Sequence, residues 1–225
     1  NVVLGDEAGT AITTGDNNVF IGYTAGDAVT AASDNIGIGY NALGGANTGA
    51  ENVAIGSNAL DANTSGVSNT AMGYNALGAN TTGSYNIGIG QSAGGAITTG
   101  QKNTLMGFGA GDATTTADNN TAVGYDALTA NTTGTRNVAV GALALDANTT
   151  ASNNNAVGYS AMSANTTGAG NQAFGDSALA ANTTAANNTA MGNFAMSANT
   201  TGFDNVAVGA IALDANTTGN SNTAV

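Results

Sequence analysis

Apolar residues recur along this chain at fixed places in a 17-residue unit that opens on asparagine. Asn stands at position 1 and at every seventeenth residue to Asn222, fourteen times without a slip. Numbered from that Asn, position 4 is always apolar, from Leu4 and Ile21 through Met72 and Phe174 to Val225, and position 2 is Val, Ile or Thr in twelve of fourteen units. A spacing of two is the period of a strand. Position 3, on the opposite face, is Ala in nine units, Gly at Gly37 and Gly88, and Val3, Phe20 or Leu105 elsewhere, never polar. A strand apolar on both faces is covered on both faces. A coil of 17 residues is thin and covers one of them, so the pattern predicts a subunit interface along repeat positions 2 to 4.

The rest of the unit completes a coil. Position 5 is Gly in all thirteen complete units, Gly5 to Gly209, which fits a strand end needing φ > 0 or close backbone approach. Position 8 is always Ala, Ala8 to Ala212, as expected of a narrow, dry seam between backbones. Positions 13 and 14 read Thr-Thr in ten units, and position 15 is Gly in nine and Ala in four, which predicts a second short strand and a turn back to the next Asn. Positions 9 and 12 vary together. Leu or Met at 9 goes with Asn at 12 in eight units, as in Leu60 with Asn63 and Met162 with Asn165. Gly at 9 goes with a larger or branched residue at 12: Gly9 with Ile12, Gly26 with Val29, Gly94 with Ile97, Gly111 with Thr114. One interior slot filled from either side explains the exchange, although Leu43 with Ala46 and Asn47 fits it less well.

Fixed spacing without insertions is the signature of a solenoid, because one extra residue would turn every later side chain to the wrong face. The expected fold is all-β: a parallel β-solenoid, or β-roll, of thirteen 17-residue coils with two short strands per coil, forming a single domain over residues 1–225. At the strand spacing such a stack is about 60 Å long. Asn ladders at positions 1 and 12 hydrogen-bond the turns and one another from coil to coil. The chain opens in register and stops four residues into a further unit, as a segment cut from a longer array would.

Composition narrows the functions open to such a stack. Lys102 and Arg136 are the only basic residues against fourteen acidic ones, and a net charge of -12 repels nucleic acid and anionic membranes. Charged residues are 7% of the chain, against roughly 25% in ordinary soluble domains, which suits an extracellular setting. No Cys is present, so neither disulfides nor thiolate sites arise, and no run of apolar residues is long enough for membrane insertion. Without His or Cys, and with its two bases two coils apart, the chain offers no catalytic residues, and no cofactor or metal site is expected. Aspartates recur at position 10 (Asp27, Asp61, Asp112, Asp146, Asp214), but never in adjacent coils, too sparse for the six to eight oxygens of calcium, and read as solvated turn residues.

Two surface rows remain. Tyr23, Tyr40, Tyr74, Tyr125 and Tyr159, with Phe108, share position 6, either covering a coil edge or stacking on sugar rings. Thr rows on a charge-poor solenoid suit ice binding, yet adjacent Thr residues face opposite ways and leave one outward Thr per coil. Eight Asn-Thr-Thr or Asn-Thr-Ser sequons, Asn63 to Asn216, lie on the ladder asparagines and are read as accidental.

The cores Asn52-Val-Ala-Ile-Gly56, Asn137-Val-Ala-Val-Gly141 and Asn205-Val-Ala-Val-Gly209 resemble the Asn-x-Val-Ala-Ile-Gly repeat of trimeric autotransporter adhesin heads. The longer form, as in residues 120–134, is similar to arrays in phage tail fibres and fibre adhesins that end in an endosialidase-type chaperone. The adhesin-head repeat is shorter than 17 residues. The resemblance implies a left-handed β-roll, a homotrimer with inner strands packed around one axis, and a structural shaft or head segment of an extracellular fibre, on a virion tail or a bacterial surface. The tip that binds a host glycan or receptor lies elsewhere in such fibres, and no ligand residue carries over. An ice-binding or carbohydrate-binding solenoid using its Thr or Tyr rows is the alternative.

Overall fold

The computed structural model describes residues 1–225, and it is an all-β parallel β-solenoid of about thirteen turns with no helix. Two compact units are distinguished, residues 1–117 and 118–225. The first carries β1 (Val2–Leu4), β2 (Val19–Ile21), β3 (Ile36–Ile38), β4 (Val53–Ile55), β5 (Thr70–Met72), β6 (Ile87–Ile89) and β7 (Thr104–Met106). The second carries β8 (Thr121–Val123), β9 (Val138–Val140), β10 (Asn155–Val157), β11 (Gln172–Phe174), β12 (Thr189–Met191), β13 (Val206–Val208) and β14 (Thr223–Ala224). Within each unit every strand pairs in parallel with the next at a shift of 17 residues, Val53 with Thr70 and Ala156 with Ala173 for example. Identical register from coil to coil is what the unbroken repeat requires.

Each coil holds one strand, not the two expected. The Thr-Thr segment at positions 13 and 14 is a bend. Its donors explain why: the amides of Thr64 and Ser65 and the hydroxyl of Thr64 all reach the carbonyl of Thr81 in the next coil, at 2.9, 3.1 and 2.9 Å. Three donors converging on one oxygen leave no alternating ladder of the kind a strand needs.

Between strand and bend the chain makes overlapping turns. In the fifth coil Ala76, Gly78 and Asn80 donate their amides to the carbonyls of Gly73, Asn75 and Leu77. The amides of Asn75, Leu77 and Ala79 instead reach Ser57 in the coil before and Ala93 and Gly95 in the coil after. Alternate residues are therefore committed within and between coils, and positions 7 and 9 sit at positive φ, 54° at Asn75 and 49° at Leu77. A β-branched residue is strongly disfavoured there. Position 9 is Gly, Leu or Met throughout, never Val or Ile, whereas position 7 carries β-branched side chains at Thr24 (φ 54°) and Ile211 (φ 63°).

Side chains at positions 1, 3, 8, 9, 12 and 15 point inward. The position-1 ladder holds the corner: Asn69 accepts the backbone amide of Asn86 on its side-chain oxygen at 2.9 Å and donates to the carbonyl of Gly83 at 2.9 Å. The position-12 ladder meets it there, since Asn80 donates to that same carbonyl at 3.0 Å and to Asn63 at 2.9 Å. Both side chains are buried and donate their NH2 groups inside the coil, so a buried polar interior costs little wherever the oxygens are matched as well. The ladder stops at Asn80, whose oxygen lacks a partner because the next coil has Ile97 at position 12. Asn47, one residue late in its unit, still joins the ladder by accepting from Asn63 at 2.8 Å, and this resolves the irregular third unit.

The exchange between positions 9 and 12 is real and involves position 3 as well. A Cβ on Gly26 would stand 2.6 Å from the Phe20 ring, and one on Gly111 2.7 Å from Leu105. Phe20 also occupies the space over Gly37, and Leu77 that beside Gly88. Volume is thus conserved across three positions and between neighbouring coils, as close packing demands.

Candidate functional site: an outward apolar strand face

Because position 3 is spent on the interior, positions 2 and 4 are what each strand shows to the outside. Ala54, Ala71, Ala122, Ala139, Ala156 and their equivalents are fully buried within the coil, whereas Val53, Ile55, Val138 and Val140 are partly exposed. The two-faced strand expected from sequence is present, and its uncovered face is the 2 and 4 face. Position 4 stays apolar in all fourteen repeats although the chain covers it only in part. Met72, Met106, Phe174 and Met191 are each more than a third exposed. Scattered exposed apolar residues are ordinary, but rows along successive coils form the contiguous patch that marks an interaction site. No charged residue occupies position 2 or 4 in any coil, so the -12 charge lies off this face.

The flanking aromatics are exposed, as Tyr40, Tyr74, Tyr125 and Tyr159 all show. Tyr23 and Tyr40 stack on each other with centroids 5.8 Å apart and planes 19° apart. In that pair one face of each ring is used on the other, whereas Tyr74, Tyr125 and Tyr159 stand in coils that are not adjacent to one another. The Tyr23 hydroxyl is held above its ordinary pKa by the charge of Glu7 and by its hydrogen bond to that carboxylate. At Tyr125 the hydrogen bond to Asp126 and then its charge do the same.

Among the position-10 aspartates, Asp61 and Asp146 are pushed above the usual carboxylate range, first by burial, while nearby backbone amides oppose the shift. Asp126 adds like-charge repulsion at Asp146, one of whose oxygens is buried without a partner. No three Asp, Glu, His or Cys side chains come close enough together to hold a metal ion, and the surface has no pocket. Arg136 donates from Nε to Asn153 at 2.8 Å, and Lys102 is exposed on the first unit. A carboxyl whose pKa is raised by folding favours the folded state below its unfolded pKa and loses that contribution as pH rises through the folded value. Asp146→Asn is therefore expected to match the parent near pH 3 and to be the more stable of the two at pH 7, read as urea midpoints at both pH values. Equal midpoints at pH 7 would show that burial of Asp146 carries no penalty.

The Thr rows divide. At position 13 the hydroxyls are tied down, as when Thr81 donates to the Thr98 carbonyl at 3.0 Å and Thr166 to Thr183 at 3.1 Å. Position 14, Thr133, Thr150, Thr167 and onward, is exposed.

No family model, curated protein or solved structure matches the chain. Functional inference therefore rests on the surface itself.

Proposed function

We propose that this chain is a structural shaft or head segment of a homotrimeric extracellular fibre, on a phage tail or a bacterial surface, that extends and presents a binding tip. One observation carries the reading: an outward strand face that is apolar at position 4 in every coil and nowhere charged, on a molecule of net charge -12. Three copies meeting on that face bury it while their carboxylates stay in solvent, so hydrophobic burial joins the chains without bringing like charges into the joint. Left-handed winding and packing about one axis belong to the same reading, through the resemblance of Asn137-Val-Ala-Val-Gly141 and its counterparts to adhesin-head repeats. Ice binding is the weaker reading, since the position-13 hydroxyls are committed to carbonyls and a single Thr row remains free.

Assembly is tested by Val140→Asp combined with Val157→Asp, which place carboxylates on the outward face of β9 and β10. Each would be buried unpaired in a trimer, at a cost on the order of several kcal/mol, but solvated in a monomer. The expected result is a folded monomer with an unchanged β circular dichroism spectrum. A persistent trimer would remove this face from the joint.

A further inference from the structure

The five methionines are the only sulfurs of the chain, and they fall on opposite sides of the coil wall. Met72, Met106 and Met191 stand at position 4 on the outward strand face, 38%, 38% and 45% exposed, whereas Met162 and Met196 stand at position 9 inside the coil and are 0% exposed. A thioether is oxidised where peroxide can reach it. The sulfur attacks one oxygen of hydrogen peroxide as the O–O bond breaks, and that oxygen passes its proton to the departing hydroxide. A sulfoxide and water result, the two electrons lost by sulfur having reduced the peroxide.

We propose that Met72, Met106 and Met191 are sites of reversible oxidation to the sulfoxide, and that their oxidation keeps the outward face from forming the seam between copies. The first half follows from exposure; the second rests on the trimeric reading above. Met72 is paired in the sheet with Ile55 and Ile89, Met106 with Ile89, and Met191 with Phe174 and Val208. Oxidation sets a strong acceptor into this apolar row, which water satisfies on a free chain and which those side chains cannot satisfy in a dry seam. Assembly covers the same sulfurs, so oxidation acts on the chain before it assembles rather than on the finished trimer. The coils stay folded, because the sulfoxides lie outside them and the two methionines whose oxidation would disrupt the interior are out of reach.

The test treats the full chain with hydrogen peroxide, diluted below the range in which it assembles, and follows each methionine by peptide mass spectrometry. Met72, Met106 and Met191 are expected to gain one oxygen about tenfold or more faster than Met162 and Met196. The oxidised chain, once concentrated, should keep its β circular dichroism and stay at the single-chain mass, and a methionine sulfoxide reductase should return it to the trimer. The triple variant M72L, M106L, M191L, close in volume and inert to peroxide, should assemble with or without treatment. Equal oxidation rates at all five sites would overturn the assignment of the sites. A trimer formed by the fully oxidised parent, or one lost by the treated leucine variant, would overturn the effect on assembly. An untreated parent that is monomeric at every concentration removes the trimeric reading and the effect on assembly with it, while the contrast in oxidation rates is decided separately by the same spectra.

Discussion

Ala139→Asp is expected to unfold the coils around β9, at a cost of about 3–5 kcal/mol for an unpaired buried carboxylate. Ala139 is fully buried in the coil interior, paired in the sheet with Ala122 and Ala156, and no cationic group lies inside to receive the charge. The new acid would fold only when protonated, so the loss should be larger at pH 7 than near pH 4. Each coil depends on its immediate neighbours, so the damage should be local, with hydrogen exchange accelerated across β8 to β10 and less at β13. The contrast with Val140→Asp, one residue away, is decisive: the first should unfold the coils around β9, the second should prevent assembly while leaving them folded. A folded, unassembled Ala139→Asp chain would mean that position 3, not position 4, faces outward.

Gly56→Ala should be nearly as damaging. Gly56 sits at φ 134°, and an added Cβ would lie 2.5 Å from the carbonyl oxygen of Gly73 in the next coil. Relief requires the coils to separate where the Gly73 amide donates to Ile55 at 2.8 Å, so conformational strain and a broken ladder bond add. A loss of about 3 kcal/mol or more is expected from denaturant unfolding, with exchange at Gly73 accelerated. A loss below about 1 kcal/mol would mean the backbone has room to move, and the unvarying Gly at position 5 would need another cause.

Much of this architecture was legible in the repeat. Unvarying Asn at position 1 and Gly at position 5 were readable because each has a single backbone task, the corner bond to position 15 and the close coil contact. The Thr-Thr segment misled because Thr favours strands, whereas its hydroxyl here competes for the carbonyl that a second ladder would use. Which strand face turned inward was not settled by hydropathy, both faces being apolar. Size held the answer: Phe20 coincides with Gly26 and Leu105 with Gly111, a compensation that places position 3 in the same interior as position 9. The polar Asn155 and Gln172 passed as two exceptions to a composition rule, since their hydrogen bond depends on a 17-residue register that becomes visible only when coils are stacked.

The seam is the centre of the account, and the mass of the folded chain in solution tests it most directly. Sedimentation equilibrium on the purified 225-residue chain should give three times its 21.5 kDa, with a β circular dichroism spectrum. A folded species that remains at the single-chain mass through the micromolar range would contradict it.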